Sequence, residues 1–208
     1  MERATGGWHP FWGIKGSVFS SVVEDVERLV RERRVSREKI EAKLGEEALS
    51  HLDESIQPSL WYPIESYRVL SELLVEVEGG GRMEYMFERG ERSAQRLFDA
   101  GLYEQLRYAS EEIARDTQLQ VKSAGRLIVT IAPAMFNFTS WSFHVDPETA
   151  KRFTIQVDDA RDLPEVLRYS AAGFCHMVAE TACDAKLSIR HKRARPDQIL
   201  ITQEFAEP

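Results

Sequence analysis

The spacing of apolar residues divides the chain into two unlike halves. Up to about residue 120 they recur every three or four positions, which is the period of amphipathic helices with one buried face. The first predicted helix begins near Ser17. A later one starts within residues 61–67, carries an apolar stripe from Ile64 to Val77, and ends at the glycines at 79–81. The first half is therefore predicted to be mainly helical.

From Gly125 the apolar residues alternate with polar ones, and β-branched and aromatic side chains become frequent. Three runs predict the strands of an antiparallel meander: residues 127–131, 141–145 and 153–157. A helix is predicted from Leu163 to Cys183, with Asp162 and Glu165 as its capping box. A terminal hairpin follows over residues 187–205.

These elements predict an α+β fold, with a mainly helical N-terminal part and then an antiparallel sheet on which a long helix packs. The 208 residues, 43% of them hydrophobic, suit one core. We predict a single α+β domain over residues 16–208, preceded by an N-terminal aromatic arm over residues 1–15. Trp8, Phe11 and Trp12 of this arm require burial, which predicts docking on the chain itself or on a second copy in a homodimer.

The net charge of −7 argues against a general affinity for nucleic acid or anionic lipid, because both reward a surplus of Lys and Arg. No apolar run of signal-peptide length follows Met1, so we expect a cytoplasmic protein. The least charged stretch, residues 127–145, contains Pro133 and Asn137 and is interpreted as strands, so no membrane insertion is expected.

Aromatic side chains mark the first candidate site. Four of them lie in or near the predicted strands and a fifth lies on the long helix: Phe136, Phe138, Trp141, Phe143 and Phe174. Large rings on both faces of a strand pair must be covered on both sides. The covers are either the helices alone or a bound ligand or partner, which makes these residues candidates for ligand binding.

A second candidate lies on the predicted long helix, where His176, Glu180 and Cys183 share one face at i, i+4 and i+7. These are potential metal ligands, and His144 or Cys175 would have to complete the set. The alternative, which we favour, is that both cysteines are buried apolar residues. The chain has no nucleotide-binding glycine motif, and adjacent Cys175 and His176 point apart, so we expect no enzymatic activity.

Short motifs are similar to those of a paralogous family of myxobacteria that has no established activity: Ile14-Lys15-Gly16-Ser17, Trp61-Tyr62-Pro63 with Tyr67, Gly90, and Ala172-Gly173-Phe174. More broadly, the order of elements resembles the superfamily that joins heme nitric-oxide sensors, 4-vinyl reductase domains and TRAPP vesicle-tethering subunits. In the heme-binding branch a proximal histidine and a Tyr-x-Ser-x-Arg motif hold the porphyrin, and this sequence has no segment of that form.

From these observations we expect a non-enzymatic regulatory or scaffold domain that binds a small apolar ligand or a protein partner, and no cofactor. The alternative is a metal- or heme-dependent sensor that uses the helix at residues 175–183, with zinc or heme as the cofactor.

Overall fold

A computed structural model describes residues 12–101, 117–149 and 151–206. The helices are α1 (Gly16–Arg31), α2 (Arg37–Asp53), α3 (Ile64–Val77), α4 (Glu84–Asp99), α5 (Thr117–Met135) and α6 (Glu165–Cys183). The strands are β1 (Gly13–Lys15), β2 (Trp61–Pro63), β3 (Ser140–Val145), β4 (Arg152–Asp158), β5 (Leu187–Arg195) and β6 (Gln198–Phe205). The predicted α+β fold, helical first and then a sheet with a long helix, is confirmed.

The larger sheet has four antiparallel strands in the order β3-β4-β6-β5. Its inner face is apolar, with Phe153, Ile155 and Ile201 almost fully buried against α5 and α6. Its outer face is polar, as the hydrogen bond of 3.0 Å between the hydroxyls of Thr154 and Thr202 illustrates. Apolar and polar residues alternate along these strands because helices cover only one face of the sheet.

Helices α1, α2 and α3 pack together at one end of the molecule, and α4 connects them to the sheet through α6. A small sheet of β1 and β2 joins the starts of α1 and α3, with Ile14 opposite Tyr62. Within the helical part the largest fully buried side chains include Tyr67, Phe19 and Leu70. Burial of this stripe holds α1 against α3, as the three- and four-residue spacing predicts.

The predicted strand at residues 127–131 is wrong, because these residues belong to helix α5. The buried residues of α5 fall at helical intervals: Val121, Ala124, Ile128 and Ala132. Gly125 lies inside this helix, and a Cβ there would lie only 2.1 Å from the ring of Phe143, which packs against this position. The predicted meander is accordingly replaced by two hairpins joined between β4 and β6.

Helices α2 and α6 begin in different ways. Ser36 caps α2 by accepting a hydrogen bond of 3.2 Å from the Lys39 amide. Helix α2 then continues through Gly45 to Asp53. The capping box at Asp162 is absent, because α6 starts after Pro164 and the Glu165 carboxylate instead binds Arg168 and Arg193.

The aromatic arm lies largely outside the described residues, so its docking and the predicted homodimer stay predictions. Trp12 is described, and its side chain is 55% exposed with its ring centroid 6.1 Å from that of Phe138. Across the described ranges no helix combines the length and the apolar character that crossing a bilayer demands.

Candidate functional site

A cavity of about 520 Å³ lies where α1, α3, α4, α5 and α6 converge beside the start of β3. Its walls are mainly apolar, and Val22, Ile128, Ala132 and Leu167 are representative. Pockets for small organic ligands typically enclose about 300–1,000 Å³ and have such walls with a few polar groups. The cavity is therefore of a size and character that suit a small apolar molecule.

One side of the cavity depends on a close crossing of α4 and α6 at two glycines. A Cβ on Gly90 would lie 1.9 Å from the carbonyl oxygen of Ser170, and one on Gly173 would lie 1.9 Å from that of Phe87. Neither helix could approach the other this closely with any larger residue at these points. Both glycines belong to the motifs singled out in the sequence, and Gly90 itself lines the cavity.

The five aromatic candidates take different places. Phe136, Trp141 and Phe174 line the cavity, and the rings of Phe136 and Trp141 stack with centroids 5.8 Å apart. Phe138 is buried next to Trp12, and Phe143 packs between Gly125 and Phe153. The structure therefore brings three of the five to one cavity and places the other two in the packing around it.

The metal candidates do not converge on one point. The His176 Nε2 atom lies 3.7 Å from a carboxylate oxygen of Glu180, which also accepts hydrogen bonds from Lys186 and the Leu187 amide. Cys183 is buried in a separate apolar cluster, and His144 is exposed on β3. Within the three ranges that the structure covers, no group of three His, Cys, Asp or Glu side chains is placed to hold a metal ion.

Two polar side chains inside the cavity were not predicted there: Tyr67 was not considered as a site residue, and Cys175 only as a further metal ligand. Tyr67 of α3 and Cys175 of α6 both line the cavity, and both are almost fully buried. Burial raises the pKa of the Tyr67 phenol, an effect that the nearby Ser170 hydroxyl only partly offsets. Burial likewise raises the pKa of the Cys175 thiol to about 12. Both groups are therefore protonated and neutral at physiological pH.

A second pocket of about 430 Å³, which we call the arginine pocket, adjoins the cavity and shares Arg89 and Arg96 with it. Its ionisable lining comprises five arginines and two carboxylates: Arg28, Arg34, Arg89, Arg92, Arg96, Asp25 and Glu78. Five positive and two negative charges leave a local net charge of +3 on a chain whose net charge is −7. The pocket is thus locally attractive to anions.

Ion pairs fix the inner part of the arginine pocket. Arg89 of α4 pairs with Asp25 of α1, and its side chain is only 9% exposed. Arg28 contacts Asp25 at 3.2 Å and Glu78 at 3.0 Å, and Arg34 contacts Glu78 at 2.8 Å. This network joins α1 to α4 and to Glu78, the residue that follows α3.

The network predicts a loss of stability in acid. Burial alone would raise the pKa of Asp25, but its hydrogen bonds and ion pairs with Arg89 and Arg28 outweigh burial and lower it. A carboxylate with a lowered folded-state pKa stabilises the fold above its unfolded-state pKa, and this stabilisation is lost as the pH falls through the folded-state pKa. We expect the free energy of unfolding, measured by urea denaturation, to decrease below about pH 4. Asp25→Asn should flatten that decrease, and an identical pH profile for this variant would contradict the assignment.

Sequence comparison with protein-family models finds no match, and comparison with curated proteins finds none either. Comparison with solved structures finds matches. The Fe(II) unliganded H-NOX protein from K. algicida matches with a TM-score of 0.63 and 12% identity, over 94% of this chain and 98% of its own. The chain has the H-NOX fold. An H-NOX protein from S. oneidensis in the Fe(II)NO ligation state matches with a TM-score of 0.54 and 13% identity, over 93% of this chain and 100% of its own.

The H-NOX fold confirms the architecture that the order of elements predicted. The likeness to a myxobacterial family stays a prediction. The expectation that the chain has no cofactor is corrected by the same comparison, because another H-NOX structure with a TM-score of 0.53 comes from work on heme distortion in that family. Heme is therefore the first cofactor to test against the residues of the cavity.

The cavity residues fit a heme held by tyrosine or cysteine, and they do not fit one held by histidine. None of the residues that line the cavity is a histidine, and this holds for the part of the chain that the structure describes. Cysteine thiolate and tyrosine are both known axial ligands of heme iron. Tyr67 and Cys175 are thus the side chains that would hold the iron, and the apolar walls suit a porphyrin face.

Proposed function

We propose that this chain is a non-enzymatic sensor domain that binds an apolar small molecule, heme foremost, in the cavity between α1, α4, α5 and α6. The observation that carries the proposal is a mainly apolar cavity of about 520 Å³ within an H-NOX fold. The absence of a catalytic motif in the sequence supports a binding role over an enzymatic one.

Each wall of the cavity has a definite part in binding. The stacked rings of Phe136 and Trp141 offer a flat apolar surface, which favours a planar ligand. The short side chains of Ala171 and Ala132 leave space at the α6 and α5 sides. Heme, when bound, would supply an iron atom able to take a gas molecule as ligand. Tyr67 or Cys175 would hold the iron through its phenolic oxygen or its sulfur, which are known donors to heme iron.

Filling the cavity tests the proposal. We expect the purified protein to take up one equivalent of hemin, followed by the shift of its Soret absorption. Ala171→Phe places a ring in the cavity and should weaken hemin binding at least tenfold, since the ligand and the ring would compete for the same space. Ala194→Phe adds the same ring on the exposed part of β5 and is the matched control.

The axial ligand is read from the same titration. Tyr67→Phe and Cys175→Ala each remove one candidate donor, and the one that ligates iron should shift the Soret maximum of the bound form. Hemin uptake that is equally tight in the wild type and in Ala171→Phe would contradict binding in the cavity. A wild-type protein that binds neither hemin nor an apolar acid would refute the proposed function.

A further inference from the structure

The arginines of the arginine pocket differ in how far their charges are neutralised. Arg28, Arg34 and Arg89 are bound by Asp25 and Glu78, as described above. Arg92 is 55% exposed and meets Glu88 only at 3.8 Å. Arg96 donates a hydrogen bond of 3.2 Å to the neutral hydroxyl of Ser93, and no carboxylate of the described residues lies within ion-pair distance of it.

The charge that remains is therefore concentrated at Arg92 and Arg96. Both lie on α4 one turn apart, on the face that also carries Arg89. Arg92 is held over the ring of Tyr85, with its guanidinium 5.8 Å from the ring centroid, which orients it toward the pocket. Arg96 borders both the arginine pocket and the apolar cavity. A ligand that fills the cavity and extends past Ser93 would therefore meet Arg96 first.

We propose that Arg96, assisted by Arg92, binds the carboxylate of a ligand whose apolar part occupies the cavity. This inference rests on the proposed function and adds the class of ligand, an apolar carboxylic acid. The guanidinium fork matches a carboxylate with two parallel hydrogen bonds, and such charge-assisted bonds are the strong ones. Arg89 stays engaged with Asp25 and forms the inner wall of the anion site, while Arg96, which pairs with no carboxylate of the described residues, supplies the positive charge.

Two sources present this chemistry, a fatty acid and the propionate edge of heme. Decanoate and decanol have the same chain and differ in charge, and hemin and its dimethyl ester differ in the same way. Titration calorimetry of both pairs, against the wild type and Arg96→Gln, isolates the carboxylate contact. Arg126→Gln is the matched control, because Arg126 is exposed on α5 and lines neither pocket.

We expect Arg96→Gln to weaken binding of the acid about tenfold, the effect of losing one charge-assisted contact at a partly exposed site. Binding of the matching alcohol or ester should not change, and Arg126→Gln should bind both as the wild type does. If the acid that binds is hemin and not decanoate, the carboxylate belongs to the propionate edge, and the reverse result assigns it to a fatty acid.

The outcomes separate this inference from the function on which it rests. If Ala171→Phe abolishes binding while Arg96→Gln binds acid and neutral analogue unchanged, the carboxylate contact is refuted and the cavity function stands. If Arg96→Gln weakens the alcohol as much as the acid, the effect is not electrostatic and the inference is likewise refuted. If the wild type binds the neutral analogues but not the acids, the inference is refuted and the cavity function stands, and if it binds neither, both proposals fall.

Discussion

Gly90→Ala should destabilise the protein by about 3 kcal/mol, the upper part of the range for overpacking a well-filled contact. The added methyl group would lie 1.9 Å from the Ser170 carbonyl oxygen and 2.8 Å from the Phe174 amide nitrogen. Both obstacles are backbone atoms of α6, so no side-chain rotation relieves the clash. The helices must move apart, and this opens the packing between α4 and α6. Urea denaturation monitored by circular dichroism measures the change.

Gly80→Ala is the matched control for this substitution. Gly80 has a φ of +59° and no heavy atom within 4 Å of an added Cβ, so the change costs only backbone strain. We expect a loss of about 1 kcal/mol there, the cost of placing a residue with a Cβ in the left-handed region. Equal losses at Gly80 and Gly90 would show that the α4–α6 contact is not close-packed.

Arg89→Met should lower the free energy of unfolding by about 3 kcal/mol, because it leaves the half-buried Asp25 carboxylate without its main partner. Arg28 remains 3.2 Å from Asp25, so the loss is expected at the lower end of the range of about 3–5 kcal/mol for breaking a buried ion pair. The methionine preserves most of the apolar volume of the arginine stem, so the loss reports on the charge. Thermal or urea denaturation at neutral pH measures it.

Arg92→Met on the same helix is the control for Arg89→Met. Its side chain is 55% exposed and its ion pair is long at 3.8 Å, so the expected change is below about 0.5 kcal/mol. The double substitution Asp25→Leu with Arg89→Met should recover part of the lost stability, since it removes the unpaired carboxylate. A double variant that is less stable than Arg89→Met alone would contradict the account of this pair.

The helical period of the sequence was sufficient to predict α1, α3 and α6, because each buries one stripe against the core. Phe19 and Val26 of α1 and Leu70 of α3 are buried as that period requires. Helix α5 was taken for a strand, since Leu127, Val129 and Ile131 alternate and Gly125 and Pro133 look like breaks. The glycine at position 125 is explained only by tertiary packing, because the ring of Phe143 occupies the space that a side chain there would need.

The candidate site was predictable only in part. Phe136, Trp141 and Phe174 were recognised as aromatic candidates, but their meeting with Tyr67 depends on five helices converging, which no local pattern encodes. The pairing of Asp25 with Arg89 joins residues far apart in the chain. The sequence did indicate that both residues need a partner, because each adjoins the apolar stripe of its helix. Charges at such positions are normally paired.

Ligand occupancy of the cavity is the central claim, and native mass spectrometry tests it most directly. The wild type, Ala171→Phe and Ala194→Phe would be expressed untagged in cells supplied with a heme precursor and compared under native and denaturing conditions. The account predicts that the wild type and Ala194→Phe carry one small molecule per chain, lost on denaturation, and that Ala171→Phe carries none. An identical retained mass in Ala171→Phe, or a wild type that stays empty and takes up no added hemin or apolar acid, would contradict it.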